Sequence, residues 1–386
     1  MAKDKDDLPP DSLHGPLCES DLMEHEAAER TLLESWSSGR LHHAWLIAGP
    51  SGIGKATLAC RFARFLLAQG ARQARVVEDP GPSLFGDVMP MPVQPVTAPT
   101  SLYVAPDDPI FHRIAMRGHA DLYTVTLGYD VKRARERKVI VVDDVRDIRN
   151  FISLTPAENG YRVVIIDGAE DMNKNAANAL LKMLEEPPPR TVFLLVCHAP
   201  GRLLPTIRSR CRTLTLHPLR DDTLSALLTR HRPDLPDDET AALLRIADGS
   251  IGRALRYAEE GGVALYGEMI KLLMPLPEID VGALHTFGEK LARPNGVAAY
   301  NLFGELLGWW LVRMVRGAAS GIAAPEIVTG EQSLMQRLAR ARSLDQWAEV
   351  WEKIAHLFAR AASVNLDRKQ TVLSAMQTLQ ISARGS

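Results

Sequence analysis

The chain has 386 residues, 46% of them apolar, which is enough for two or three domains with buried cores. Its 45 basic and 47 acidic residues exclude a protein that binds nucleic acid or a membrane through overall positive charge. The four cysteines have neither C-x-x-C spacing nor the density of a secreted disulfide protein. They indicate reduced thiols, and the apolar runs are too short for a bilayer, so we expect a cytoplasmic protein.

Residues 1–17 are rich in Asp, Lys and Pro and predict a flexible N-terminus. A helix is expected over 18–36, and then comes the strand AWLIAG, the loop GPSGIGK and an apolar-periodic helix over 57–69. In such a loop, glycines let backbone N–H groups approach phosphate oxygens, and lysine neutralises them. The sequence therefore predicts a P-loop nucleotide site at Gly49, Gly52, Gly54 and Lys55.

This loop departs from an active P-loop at Ala56, where a hydroxyl would hold magnesium. Thr57 comes one residue later, about 100° further round the helix, so its hydroxyl would point away from the metal. We count Thr57 only as a possible contact of a vestigial site. No cofactor requirement is predicted, and ATP with magnesium would bind weakly.

The next part of the chain gives weaker signals. Residues 78–108 are Pro-rich and predict a surface insertion, and 121–127 predict a strand. Residues 132–138 read as a charged hairpin or loop, in which Lys132 and Arg133 could contact DNA phosphates, although a solvated loop is slightly favoured. Residues 139–152 predict a strand that turns into a helix.

Two further buried strands, RVVIIDG and TVFLLVCHA, enclose a helix predicted over 173–184. Alternating strands and helices favour an α/β fold with a parallel, doubly wound sheet. Asp167 ends the first of these strands and could hold metal-bound water, but Gly168 stands where hydrolases of this type place a catalytic glutamate. For Glu170 and Asp171, solvated acids at a helix start are favoured over a displaced base.

The segment TIRSRC, residues 206–211, supplies an arginine cluster of Arg208, Arg210 and Arg212. Alone, such a cluster is more often a solvated or salt-bridged face. Beyond Leu216 the composition favours helices, with a lid over 217–262 and a further helical region over 263–386. That region has a wide apolar face, read as core or subunit packing, made of Leu302, Phe303, Leu306, Leu307, Trp310, Leu311 and Met314.

Four stretches together resemble the clamp-loader subunits of bacterial DNA polymerase III, within the AAA+ superfamily: HHAWLIAGPSGIGKATL, RVVIIDGAEDMNKNAANALLKMLEEPP, VFLLVCHAPGRLLPTIRSRC and DGSIGRAL. The resemblance implies an AAA+ P-loop core over 18–216, a small helical lid over 217–262 and an all-helical collar over 263–386 that joins the subunits. Trp310, Trp347 and Trp351 would suit that collar contact. The impaired loop is similar to the stator type of subunit rather than to the motor ATPases.

The same resemblance implies that Arg210 is an arginine finger, inserted into the ATP site of an adjoining motor subunit, with Ser209 and Cys211 shaping its loop. Cys197 and His198 replace a sensor threonine, and Arg253 stands one residue after Gly252, where motor subunits carry a sensor arginine. The implied partners are gamma/tau and delta subunits, with the sliding clamp and primed DNA reached through the complex.

Many members of this family carry a four-cysteine zinc module, but no cysteine lies between Cys60 and Cys197, and His112 and His119 alone do not make a structural zinc site. We expect no zinc.

Two alternatives to the stator stay open: an active motor ATPase that uses Lys55 and Asp167, and a scaffold in which Arg210 is structural.

Overall fold

A computed structural model of the chain describes residues 15–77, 99–127, 129–130, 135–137, 139–158, 160–322 and 325–384. The chain divides into two compact units, Met1–Leu219 and Arg220–Ser386. The predicted P-loop core lies in the first unit, and the predicted lid and collar lie in the second, apart from the first residues of the lid.

The first unit is built on a parallel sheet, which has five strands among the described residues, in the order β2-β5-β6-β1-β7. These strands are β1 (Ala44–Ala48), β2 (Leu122–Val125), β5 (Arg162–Asp167), β6 (Thr191–Cys197) and β7 (Arg212–Thr215). A separate antiparallel pair joins β3 (Tyr129–Asp130) to β4 (Arg135–Glu136). The three central strands are buried, as their unbroken apolar runs predict.

Helices cover both faces of this sheet. The helices of the first unit are α1 (Glu26–Ser37), α2 (Lys55–Val77), α3 (Pro109–Ala115), α4 (Val142–Ser153), α5 (Lys174–Glu185) and α6 (Pro205–Arg208). Trp45 and Ile47 of β1 belong to a core with α1, α2 and α3, while Ala44 and Leu46 belong to a second core with α4, α5 and α6. The predicted doubly wound α/β fold is confirmed.

Three local predictions differ from the structure. The helix expected over 18–36 begins only at Glu26. The strand expected after residue 138 is not formed by the described residues, where Ile140 makes a single bridge to Met172 and α4 begins two residues later. Strand β7 was not predicted, because it is a short edge strand with mostly exposed residues and therefore has no apolar run.

The Pro-rich tract, residues 78–108, is described by the structure only from residue 99 onward. Residues 78–98 lie outside the described residues, as do residues 1–14 of the N-terminus. The end of the tract is anchored in the core, since Leu102 and Val104 are buried beside α2 and α3, while Tyr103 between them is exposed. Leu17 is buried in the same core, which contradicts the prediction of a flexible chain at that residue.

Within the described residues, the regular structure of the second unit is helical, as predicted. It comprises α7 (Asp221–His231), α8 (Asp237–Ala247), α9 (Ile251–Glu259), α10 (Gly262–Leu273), α11 (Val281–Ala292), α12 (Val297–Ser320), α13 (Glu331–Ala341), α14 (Leu344–Val364) and α15 (Arg368–Ala383). In the part of the chain that is described, no helix has both the length and the apolar character needed to cross a membrane.

The apolar face of α12 is an internal feature of this unit. Trp310 of α12 and Trp347 of α14 are both fully buried, while Trp351 is 37% exposed. The helix packs against α10 and α14, which cover its apolar side. The expectation that Trp310 and Trp347 serve a contact between subunits is therefore wrong, because their own unit already buries them.

Candidate nucleotide loop and arginine site

The predicted phosphate loop connects the end of β1 to the start of α2, and its shape depends on glycine. Gly49 has φ +149°, and a Cβ atom there would lie 2.5 Å from the carbonyl oxygen of Leu216. Gly52 and Gly54 have φ values of +73° and +100°. Such backbone angles and such close approach both favour glycine. The three glycines thus shape one turn that leads into the N-terminus of α2.

Lys55 is the first residue of α2, and its side chain folds back into the loop. The residue is only 3% exposed, and Nζ donates a hydrogen bond to the carbonyl of Pro50. Burial lowers the pKa of Lys55 to about 8, an effect that nearby Asp167 and Glu170 partly oppose. A phosphate group in the loop would compete with the Pro50 carbonyl for this ammonium group.

The phosphate loop is contacted by residues 22–25, which the sequence predicted to be helical. His25 Nε2 donates to the carbonyl of Ile53 at 2.7 Å, and His25 is buried. Leu22 Cδ1 lies 3.3 Å from the position that a Cβ of Gly54 would take. Residues 22–25 therefore hold the loop from outside the sheet, which explains why α1 starts late. Nothing in the local sequence distinguishes this histidine from an ordinary surface one.

The residues around the loop do not make a complete magnesium site. Ala56 offers no oxygen, and Asp167, at the end of β5, has its pKa raised by burial, with His198 and Lys55 acting in the opposite direction. Gly168 has φ +79°, and a Cβ there would lie 3.1 Å from Asp171 Oδ2. The backbone at this position is thus shaped for glycine and suits a catalytic glutamate poorly. Among the described residues, no group of three or more His, Cys, Asp and Glu side chains is placed to hold a metal ion.

Glu170 corrects one prediction, because it is not a solvated acid. The residue is 9% exposed, and Oε1 accepts hydrogen bonds from the backbone N–H groups of His198 at 2.7 Å and Ala199 at 3.1 Å. Burial alone would raise the pKa of Glu170, but hydrogen bonds from the His198 side chain and from backbone lower it to about 2. The carboxylate therefore ties the end of β5 to the end of β6, where Cys197 and His198 stand. Asp171 is more exposed and lies 3.8 Å from Arg202.

Arg210 follows the short helix α6, and its side chain lies on the surface with 36% of it exposed. Nη2 donates to Glu185 Oε1 at 2.6 Å, and Nη1 donates to the carbonyl of Thr206 at 3.0 Å. Ser209 Oγ donates to the same carbonyl at 3.0 Å. Burial raises the pKa of the Cys211 thiol to about 12, so that thiol is neutral. Ser209 and Cys211 are accordingly suited to shaping this turn.

The two other arginines of the segment have different surroundings. Arg208 donates to the carbonyl of Pro200 at 3.3 Å. Arg212 lies in β7, and its guanidinium carbon is 5.0 Å from the centre of the Trp45 ring, a cation–π contact. The three arginines thus differ in role, since one is ion-paired, one bonds backbone and one stacks on an aromatic ring.

Arg210 and the phosphate loop lie at opposite ends of the strands, on the two edges of the sheet that the strand ends form. Strands β1 and β7 are parallel, with Trp45 opposite Arg212 and Ala48 opposite Thr215. The phosphate loop follows Ala48 at the carboxyl edge, whereas Arg210 precedes Arg212 at the amino edge. Three strand steps alone separate these edges by roughly 10 Å. Arg210 therefore lies at the opposite end of the strands from the phosphate loop of its own chain.

The remaining predicted contacts lie in the second unit or outside the described residues. Arg253 lies in α9 of the second unit, where Nε is 3.8 Å from Glu305 Oε1 and Nη1 donates to the carbonyl of Ala247 at 3.4 Å. Lys132 and Arg133, proposed to contact DNA, lie outside the described residues.

A parallel sheet of this order, with a phosphate loop after β1 and an acidic residue ending β5, defines an α/β domain of the P-loop class. Residues 110–220 match the family model described as DNA polymerase III, delta subunit. The DNA polymerase III delta' subunit of Pseudomonas aeruginosa is 35% identical over 220 residues, which are 57% of this chain and 56% of the relative. The corresponding subunit of Escherichia coli is 32% identical over 224 residues, 58% of this chain and 57% of the relative.

A gamma/tau subunit of Mycobacterium tuberculosis is 30% identical over 218 residues, 56% of this chain and 31% of the relative. A solved gamma subunit-related protein of Thermotoga maritima is 18% identical, with a TM-score of 0.41, over 92% of this chain and 100% of that one. Over the matched stretches, the chain is thus similar in sequence to DNA polymerase III clamp-loader subunits, and these matches support a subunit of the delta-prime type. It spans little more than half the length of the two delta' relatives described above.

Proposed function

We propose that this chain is the stator of a DNA polymerase III clamp loader and supports ATP-dependent loading of the sliding clamp onto primed DNA. In this role Arg210 enters the ATP site of a neighbouring gamma/tau subunit. The observation that carries the proposal is the position of Arg210 at the amino edge of the sheet, opposite its own phosphate loop. An arginine so placed is suited to completing a nucleotide site in another subunit.

The charge of Arg210 supports the same assignment. A guanidinium is always charged and presents several N–H groups to phosphate oxygens, so it stabilises the charge that develops in phosphoryl transfer. Arginine fingers accelerate hydrolysis by roughly 10³- to 10⁵-fold. Arg210 has five N–H groups, and its two contacts with Glu185 and Thr206 leave others directed elsewhere.

The chain's own loop would at most bind a nucleotide without cleaving it. Gly49, Gly52, Gly54 and Lys55 could hold phosphates, with Thr57 nearby, but Ala56 gives no metal ligand and Gly168 gives no base. We therefore assign no hydrolytic step to this site. The expected partners are gamma/tau and delta subunits, with the clamp and primed DNA contacted through the assembly in the cytoplasm.

One observation favours a second candidate, a pure scaffold. The ion pair between Arg210 and Glu185 is a contact that a structural arginine would also make. In that case the arginine stabilises the turn before β7 and contributes nothing to a neighbour.

Reconstitution of the loader from purified subunits separates these functions. We expect Arg210→Ala to lower DNA-stimulated ATP turnover and clamp loading while the ring still assembles, and Arg208→Ala to leave both unchanged as the matched control. The isolated chain, with Lys55→Ala beside it, should show no turnover above background. Unchanged turnover in an assembled Arg210→Ala ring would favour the scaffold, and turnover by the isolated chain that Lys55→Ala abolishes would favour a motor.

A further inference from the structure

Glu185 is the last residue of α5, and it is the acidic partner of Arg210. Its Oε1 accepts from Arg210 Nη2 at 2.6 Å, and Thr206 accepts from Nη1 at 3.0 Å. The pair joins two elements that meet at the amino edge of the sheet: the end of α5, and the turn between α6 and β7. The chain thus carries its own counter-ion for the residue to which we assign the trans role.

We propose that Glu185 is a positioning residue that stores Arg210 against its own chain and releases it when a neighbour's phosphates arrive. This inference depends on the proposed function, because it matters only if Arg210 acts in trans. Both side chains are partly exposed, Arg210 at 36% and Glu185 at 48%, so solvent can reach the pair and a competing anion could displace the carboxylate.

The strength of each contact decides which anion holds Arg210. An exposed ion pair is worth at most about 1 kcal/mol, a factor of about five. The phosphates of bound ATP carry more negative charge than one carboxylate and can accept several charge-assisted hydrogen bonds from a guanidinium. The phosphates therefore displace the carboxylate once they are in reach, and Glu185 imposes only a small cost on the binding of Arg210 to them.

The cost of breaking the ion pair between Arg210 and Glu185 falls on ATP binding rather than on the chemical step. Once Arg210 has left Glu185, the transition state is stabilised as it would be without the carboxylate. An interaction lost before catalysis changes KM and leaves kcat alone. A carboxylate that instead stayed bound to the finger would reduce its charge at the phosphate and lower kcat.

The test uses the reconstituted loader with Glu185→Gln, which keeps the side-chain shape and removes the charge. The adjacent Glu186→Gln is the matched control, because Glu186 is also exposed and follows Glu185 in the chain. Both are made in the parent chain and in Arg210→Ala, and ATP turnover is measured from subsaturating to saturating ATP. We expect Glu185→Gln to lower the KM for ATP by up to about fivefold with kcat unchanged, and to have no effect in the Arg210→Ala background.

A KM equal to that of Glu186→Gln, a fall in kcat, or an effect that persists without Arg210 would each overturn the storage role. The design keeps the two hypotheses separate. If Arg210→Ala alone changes nothing, the trans finger fails. If Arg210→Ala lowers turnover and Glu185→Gln behaves like its control, only the role of Glu185 fails.

Discussion

Glu170 Oε1 lies 2.7 Å from the backbone nitrogen of His198, so one buried carboxylate at the end of β5 holds the end of β6. This contact links the ends of two strands at the carboxyl edge of the sheet, beside the phosphate loop.

The first prediction concerns pH. The pKa of Glu170 is lowered from 4.5 to about 2, so the stability that its charge contributes is present above about pH 4.5 and is lost as the pH falls towards 2. We expect Glu170→Gln to lower the free energy of unfolding by about 1–3 kcal/mol at neutral pH, and by less in acid. Urea unfolding at several pH values, with Glu186→Gln as the control, measures this. A deficit that does not shrink on acidification would contradict it.

The second prediction concerns the phosphate loop. A Cβ atom at Gly49 would lie 2.5 Å from a backbone oxygen that no side-chain motion can clear, so Gly49→Ala should cost about 1–3 kcal/mol. At Gly201 a Cβ would meet nothing within 4 Å, and Gly201→Ala should be close to neutral. Thermal or urea unfolding of the two variants gives the comparison. Equal stability would show that the loop accommodates a side chain.

The third prediction concerns Ala56 and Gly168, which stand where an active P-loop ATPase would have a hydroxyl and a glutamate. The double replacement of Ala56→Thr with Gly168→Glu should not produce ATP hydrolysis by the isolated chain. The positive φ of Gly168 strains any side chain, at about 1–2 kcal/mol, and Asp171 already occupies the space beside it. Magnesium-dependent turnover and unfolding of the double variant are measured against Ala56→Thr alone. Appreciable hydrolysis by the double variant would be evidence against this view.

The fourth prediction concerns the helical unit. Trp310 is fully buried, so Trp310→Ala should cost about 3–5 kcal/mol, whereas the same change at Trp351 should cost less. Trp310 Nε1 is buried with no hydrogen-bond partner among the described residues, so Trp310→Phe should recover much of the loss. Unfolding free energies of the three variants test this. A phenylalanine variant as unstable as the alanine one would point to a contact of the indole nitrogen.

The sequence allowed the sheet core, the phosphate loop and α5 to be predicted, because each has a strong local signal. Strands β1, β5 and β6 are unbroken apolar runs, and Asn173 caps α5 by accepting from the backbone N–H of Ala176 at 2.8 Å. These signals depend on residues that are close together along the chain.

The features that were missed depend on contacts between distant residues. His25 reaches the phosphate loop 28 positions later in the chain, and Glu170 is as far from His198. The local sequence shows that Glu170 lies near a helix start, where an acidic side chain is usually solvated. It does not show that the backbone N–H groups of His198 and Ala199 surround this carboxylate. Edge strand β7 gave no signal, because an exposed edge needs no run of apolar residues.

The parallel register of β1 and β7 also limits how copies of such a domain can join through these sites. The guanidinium and the phosphate loop are at opposite ends of the strands, so a contact that brings the guanidinium of one subunit to the loop of the next uses two different parts of the domain. Subunits joined by such contacts follow one another head to tail. The proposed ring therefore has a direction, and a member whose own pocket does not hydrolyse ATP ends the series of hydrolysing sites.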